Sequence, residues 1–148
     1  TLSDPPPENL KANEFLHRRL TVEDAARAHL VALEKAADVG FGLYIVSAPS
    51  PFARSECGAL KRDAAEVILQ HFPDSADLYA SRGWRLPHQI GRVYDASRIE
   101  RDLGFRCETD FAAVLAALRS GAAMPFAHDD EFRSPSLEGR ALIEGARR

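Results

Sequence analysis

The chain has 148 residues, of which 45% are hydrophobic and 28% charged, as expected of one globular domain or a fragment of one. Its formal net charge of −3 argues against a nucleic-acid partner, because no excess positive charge exists to attract phosphate backbones. No apolar run approaches the ~20 residues that cross a membrane, and no signal peptide is visible. We therefore expect a cytoplasmic protein without a membrane partner, whose Cys57 and Cys107 are buried free thiols.

The first third of the chain combines a proline-rich start with a helical pattern. Residues 1–13 contain three consecutive prolines, which predicts an extended arm or linker. Thr21 and Asp24 then form a helix-start signal, and Gly40 is a stop signal. Between them the apolar residues follow a helical period, which predicts a helix over 22–37: Val22, Ala26, Leu30, Leu33 and Ala37.

The middle of the chain mixes strand-like and helical segments. Residues 43–46 are rich in β-branched and aromatic side chains, which predicts a short buried strand, and residues 92–94 are typical of a second one. Residues 56–71 have a helical pattern that ends before Pro73. Residues 74–91 are irregular, and long irregular segments in compact domains are often functional.

Two more helices are predicted before the composition changes. Asp95 is placed to cap a helix over 96–103 that Gly104 ends, and Thr109 or Asp110 is placed to cap another that carries the apolar run of residues 111–118. Residues 121–148 are polar and contain Pro and Ser, which predicts a flexible tail, with a short amphipathic helix over 137–146 as one option.

Motifs for hydrolytic, zinc or redox chemistry are absent. The sequence contains no G-x-S-x-G, no H-E-x-x-H and no C-x-x-C. The stretch 128–131 offers ligands that suit a divalent cation, but we favour a solvated acidic stretch in a tail. His29 lies on the apolar side of the first helix and is expected in the core. Asp24 either caps that helix or contacts another segment.

The arginines are the main candidates for a binding site. Arg18 and Arg19 precede the first predicted helix, and Arg82, Arg85 and Arg92 lie in or beside the irregular segment. A planar guanidinium can hold two phosphate oxygens at once, and loops on a rigid scaffold are suitable carriers. The spacing leaves two interpretations open, a phosphate site and ordinary surface arginines.

Two stretches, taken in order, resemble a known family. Residues 19–33 read RLTVEDAARAHLVAL and residues 82–105 read RGWRLPHQIGRVYDASRIERDLGF. They resemble the C-terminal half of the extended short-chain dehydrogenases/reductases, the NAD-dependent sugar epimerase/dehydratase family. The likeness covers residues 14–120 and includes the family's V-x-D-x-A-x-A-H run, its Y-x-I strand and its terminal helix at 111–118: Val22, Asp24, Ala26, Ala28 and His29, then Tyr44, Ile45 and Val46.

This resemblance implies an α/β, helix-rich substrate-binding domain with short strands, not a complete Rossmann domain. In the family, a nucleoside-diphosphate sugar, a UDP-hexose by analogy, lies between this part and an NAD-binding Rossmann half. The resemblance implies that Arg85 contacts the substrate diphosphate and that Arg92 is a second candidate. His17 falls nearest the position of the family's other phosphate-binding arginine, with Arg18 and Arg19 beside it.

The family's chemical half has no counterpart in this sequence. It contains no G-x-x-G-x-x-G, and none of Tyr44, Tyr79 and Tyr94 is followed by Lys four residues later. The resemblance therefore implies no catalytic residue and no cofactor held by this chain alone, NAD for the full-length enzyme, and a Rossmann half in the same or a second chain. We expect the substrate-binding portion of an enzyme, inactive by itself. The alternatives are a non-catalytic nucleotide- or protein-binding module from a truncated gene, and a structural relic with an exposed apolar face.

Overall fold

The computed structural model describes residues 5–127, which form helices joined by turns and extended segments. No β-strand occurs within these residues, so the predicted α/β fold with short strands is wrong and the architecture is helical. A short 3-10 turn at Arg54–Glu56 precedes the third helix. The seven helices in this range are α1 (Pro7–Glu14), α2 (Val22–Val39), α3 (Cys57–Arg62), α4 (Ala64–His71), α5 (Ser75–Ala80), α6 (Ser97–Leu103) and α7 (Phe111–Ser120).

The two segments predicted as strands are extended but unpaired. Burial alternates along residues 41–46, with Leu43 and Ile45 exposed while Tyr44 and Val46 are partly buried. Within the described residues, however, no backbone hydrogen bond involves residues 41–47. Residues 92–94 have one such bond, from the Tyr94 amide to the His17 carbonyl at 2.8 Å. The period-2 pattern is present, but a strand also needs a hydrogen-bonded neighbour along its edge.

Helix α1 occupies part of the segment predicted as an arm. Pro7 is the first helical residue, where its fixed φ and missing N–H cost nothing. Asn9 and Ala12 are fully buried, as are Phe15 and Leu16 just after the helix. Residues 7–16 are therefore part of the folded domain.

Helix α2 confirms the predicted start and stop signals. The Thr21 Oγ1 accepts a hydrogen bond from the Asp24 amide at 3.2 Å, and Gly40 ends the helix with a φ of 69°. His29 is exposed rather than in the core, and its Nδ1 lies 2.7 Å from the Ala25 carbonyl oxygen. The expectation of a core histidine is wrong because α2 packs through its other side.

The buried Asp24 carboxylate attaches α2 to the rest of the molecule. It accepts hydrogen bonds from the amides of Glu108 at 3.0 Å and Thr109 at 3.1 Å, and from Arg27 at 2.9 Å. Of the two roles open for Asp24, the structure favours contact with another segment, since the cap is Thr21.

The remaining helices depart from the predicted pattern in three places. Helix α5 lies within residues 74–91, which were predicted to be irregular. Ala96 rather than Asp95 is the residue that precedes α6, although the Asp95 carboxylate accepts the Ser97 amide at 2.9 Å. The helix predicted over 56–71 is split at Asp63, whose carboxylate accepts the Glu66 amide and begins α4. The predicted cap of α7 is confirmed, because Asp110 accepts the Ala113 amide at 3.0 Å. Gly104 ends α6 in the left-handed conformation, as expected.

Two apolar clusters hold these elements together. The larger joins residues of α1, α3, α4, α5 and α7 with Trp84, Met124 and Phe126. Phe126 stacks on Phe15 with ring centroids 5.9 Å apart, so Met124 and Phe126 of the predicted tail belong to the core, while residues 128–148 lie outside the described residues. None of the helices in residues 5–127 has the length and apolar character needed to span a membrane.

The smaller cluster lies between α2 and α6 and contains Ala28, Ile99, Leu103, Phe105 and Cys107. Burial raises the pKa of the Cys107 thiol to about 11. Cys57 is exposed, so the prediction of a buried thiol is confirmed for Cys107 and wrong for Cys57.

Candidate phosphate-binding cleft

Two neighbouring cavities contain three of the four arginines named in the resemblance, whereas Arg82 lines neither. One, of about 590 Å³, is lined by residues 89–92 and Tyr94 together with His17 and Arg18. The other, of about 420 Å³, shares His17 and Arg18 and is lined also by α1 and residues 85–87. We call the combined site, defined by His17, Arg18, Arg85 and Arg92, the arginine cleft.

The backbone of Arg85 is fixed by two asparagines of α1. Asn9 Oδ1 accepts the Arg85 amide at 2.9 Å, and Asn9 Nδ2 donates to the Arg85 carbonyl at 3.0 Å. Asn13 Nδ2 donates to the same carbonyl at 3.1 Å. Asn9 is fully buried, so these bonds are shielded from water. Sequence analysis did not identify either asparagine.

Arg85 and Arg92 are the two cations of the cleft that no acidic side chain pairs in the described part of the chain. Both residues are exposed, and neither forms an ion pair with any residue between 5 and 127. Their guanidinium groups are therefore free to bind an anion that enters the cleft.

Arg18 is already paired with an acidic neighbour. Its guanidinium lies 2.6 Å from Glu14 Oε1, and its side chain is about half exposed. Burial raises the pKa of the Glu14 carboxyl, but the hydrogen bonds and charges of Arg18 and Arg19 outweigh this effect and lower that pKa. The positive charge that Arg18 offers to a ligand is accordingly reduced.

Arg19, the fourth predicted arginine, is placed differently. It bonds to the other oxygen of Glu14 at 2.6 Å, and its guanidinium lies 6.0 Å from the centre of the Phe126 ring. It lines neither cavity of the cleft. The structure thus places Arg18 beside both cavities, Arg85 beside one and Arg92 beside the other, and leaves Arg19 packed against the core.

His17 lies where the two cavities meet. Its backbone carbonyl accepts the Tyr94 amide, and its ring is partly buried, with no partner for Nδ1 among the described residues. Burial and then the charge of Arg18 lower the pKa of His17, while a hydrogen bond with the Arg92 backbone and the charge of Glu14 act in the opposite direction. The imidazole is therefore neutral at pH 7.

A third cavity, of about 520 Å³, adjoins the cleft through Tyr94. Phe52 and Tyr94 supply aromatic surface, and Arg54 and Arg106 supply positive charge. Arg106 is paired with Glu100 at 3.2 Å. A volume of this size suits a small organic group, and the mixed lining suits one that is both aromatic and polar.

Neither a metal centre nor a dinucleotide fingerprint is found in the described part of the chain. No group of three or more metal-ligating side chains occurs there, and the acidic stretch 128–131 lies outside it. Gly40, Gly104 and Gly121 each follow a helix rather than lead into one. A run of glycines that leads into a helix is what cradles a cofactor pyrophosphate, and these three glycines form no such run.

The site could be found only in part from the sequence. Arg85 and Arg92 were identified by residue type and by the resemblance, whereas Asn9 and Asn13 contact Arg85 across more than 70 positions. No family model, curated protein or solved structure matches this chain.

Proposed function

We propose that this chain is the substrate-binding portion of an NAD-dependent sugar epimerase/dehydratase-like enzyme and binds a nucleoside-diphosphate sugar, a UDP-hexose by analogy. The observation that carries the proposal is the meeting of Arg85, Arg92 and His17 around one cleft. A diphosphate carries two negative charges, and the two cavities that meet at the neutral His17 imidazole each contain one guanidinium without an ion-pair partner among residues 5–127.

The neighbouring cavity supports a nucleotide rather than a simple anion. It shares Tyr94 with the arginine cleft, and the proposal requires one ligand to extend past this residue from one to the other. The aromatic surfaces of Phe52 and Tyr94 suit a base, and the arginines of the cleft suit the diphosphate. The nucleoside therefore occupies the cavity beside Phe52, and the diphosphate lies near Arg85 and Arg92.

The chain acts together with a partner that supplies the chemistry. The described residues do not fit NAD, so the cofactor belongs to a Rossmann half in the same or a second polypeptide. The isolated chain is then inactive. The free thiols fit a reducing compartment, which supports a cytoplasmic location.

An exposed apolar surface supports this partnership. At about 100° per residue, the predicted stripe of α2 occupies one side of the helix, and three of its members, Val22, Leu30 and Leu33, are at least 60% exposed. Phe41, Leu43 and Ile45, just beyond the end of α2, are also exposed, with exposed fractions of 84%, 73% and 48%. We call these six residues the apolar surface.

Its size and surroundings favour a partner domain over a second copy of this chain. The six side chains are each 48% to 84% exposed, and each partner in a standard interface contributes ~800 Å². Glu23, Glu34 and Asp38 border the stripe on one side, are exposed and form no ion pair within residues 5–127. A partner with basic residues at this border has the complementary charge. The backbone of residues 41–47 forms no backbone hydrogen bond within residues 5–127 and can pair with such a partner.

Thermal unfolding with added ligands tests the binding proposal. UDP-glucose at a hundredfold excess over its dissociation constant adds about 2.7 kcal/mol of stability, whereas NAD alone leaves the unfolding midpoint unchanged. Arg85→Ala and Arg92→Ala each reduce the shift strongly, because each removes a charged hydrogen-bond donor to the diphosphate.

The matched control is Arg101→Ala. Arg101 is exposed, pairs with Asp102 on α6 and lines none of the three cavities, so its removal tests the loss of one positive charge elsewhere. The shift with UDP-glucose stays close to that of the unmodified chain. Absence of any shift with UDP-, dTDP- or GDP-sugars contradicts the proposal and favours the alternative, a non-catalytic module whose protein partner covers the apolar surface.

A further inference from the structure

The loop that carries Arg85 is fastened to the molecule by side chains rather than by secondary structure. Residues 84–92 belong to no helix, and the Arg85 amide and carbonyl both bond to side chains of α1. Asn9 provides one acceptor and one donor, as a neighbouring peptide group would in a sheet. Asn13 adds a second donor to the carbonyl.

The burial of these groups suits them to a positioning role. Asn9 is fully buried and bonds to Arg85 through both ends of its amide, while the Arg85 side chain is exposed and unpaired among residues 5–127. The backbone of residue 85 is therefore rigid at the point where its side chain enters the cleft. A preorganised cation loses less freedom on binding an anion than one on a mobile loop.

We infer that Asn9 and Asn13 are positioning residues for ligand binding, which hold the backbone of Arg85 so that its guanidinium meets the phosphate groups of the ligand. This inference rests on the proposed function, because it concerns the same cleft. Neither asparagine needs to touch the ligand for this role.

A purely structural role is the competing explanation. The same bonds also attach α1 to the loop, and their loss reduces stability whatever the loop binds. The two roles differ in one respect, because a positioning residue affects binding only while Arg85 is present to be positioned.

A double-mutant cycle between Asn13 and Arg85 separates them, with the dissociation constant of UDP-glucose measured by calorimetry. Asn13→Ala weakens binding by about tenfold in the unmodified chain and by less than twofold in the Arg85→Ala background, a coupling within the range for residues of one hydrogen-bond network. Asn13→Ala removes one of two donors to the carbonyl and leaves the buried Asn9 in place, so the domain keeps its fold.

Glu8→Ala is the matched control, because Glu8 is exposed on α1 and has no contact with residue 85. It lowers the stability of the helix end without changing the affinity for UDP-glucose. Equal losses from Asn13→Ala in both backgrounds overturn the inference while leaving the proposed function intact. Failure of the unmodified chain to bind UDP-glucose or inorganic pyrophosphate overturns both.

Discussion

At the scale of single residues, the ionisation of His17 links the stability of the chain to ligand binding. Its pKa in the folded chain lies below the ordinary value of 6.5, chiefly because the ring is buried. Near this pH the unfolded chain binds more protons than the folded one, so the free energy of unfolding falls as the pH is lowered. An anion in the cleft acts in the opposite direction, since it favours the charged imidazole.

We therefore expect two opposite trends when the pH is lowered from 7.5 to 5.5. The ligand-free chain becomes less stable in urea, while its affinity for UDP-glucose rises. His17→Gln removes both trends. Glu14 and Glu56 have lowered pKa values and titrate below 4.5, outside this window. Trends that persist unchanged in His17→Gln assign the titration to another group.

The residue scale also shows why the site is only partly visible in the sequence. Arginines in an irregular segment are a recognisable signal, and three of the four predicted ones meet in the cleft. Arg19 does not, because Glu14 and Phe126 draw its side chain to the core, and neither contact has a local sequence pattern. Asn9 and Asn13 look like ordinary polar residues of a proline-rich segment.

At the scale of the elements, helix ends are determined by local residues and are predictable. Gly104 ends α6 with a φ of 66°, a conformation that a side chain disfavours. Gly104→Ala is expected to reduce the free energy of unfolding by about 1 kcal/mol. Chemical denaturation of Gly104→Ala and of the unmodified chain measures the difference in the free energy of unfolding.

Gly58→Ala is the matched comparison, and we expect it to raise the free energy of unfolding rather than to lower it. Gly58 is helical in α3, and a Cβ there meets only the end of the flexible Arg62 side chain at 3.5 Å. Alanine in a helix is favoured over glycine by roughly 0.5–1 kcal/mol. Equal effects of the two substitutions are incompatible with the left-handed end of α6.

Sequence patterns predict some elements wrongly for two reasons, a missing distant partner for a strand and local residues that begin a helix. The alternation at residues 41–46 is present in the structure, yet a strand exists only where a neighbour pairs with it. Helix α1 was missed for a local reason, because consecutive prolines break a helix in its interior but are tolerated where it begins. The division of α3 from α4 follows from Asp63, which caps α4. The helical pattern of apolar residues continues through this position, so the pattern alone does not show the division.

At the scale of the whole molecule, the domain has one large core, and the apolar stripe of α2 lies outside it. The larger cluster encloses α1, α4 and α7, whereas α2 contacts only the small cluster and turns its apolar stripe to solvent. Exposed apolar areas of this extent mark interaction sites. The apolar surface should therefore contribute to association and not to the stability of the isolated chain.

Leu33→Gln tests this expectation. Because Leu33 is 75% exposed, the free energy of unfolding changes by no more than about 0.5 kcal/mol. The fully buried Leu115 of α7 is the matched position, where Leu115→Ala costs roughly 2–5 kcal/mol. With the separately produced NAD-binding half of a nucleotide-sugar epimerase as the probe, Leu33→Gln weakens association. A large loss of stability from Leu33→Gln alone means that the stripe is covered within this chain.

The two cysteines differ in reactivity, and this difference allows the cavity beside the cleft to be studied by fluorescence. The Cys107 thiol is buried and, with a pKa of about 11, stays protonated and unreactive at neutral pH. Cys57 is exposed and lines the cavity that contains Phe52 and Tyr94. A thiol-reactive fluorophore therefore labels the native sequence at one position, and its emission reports directly on whether a nucleoside enters.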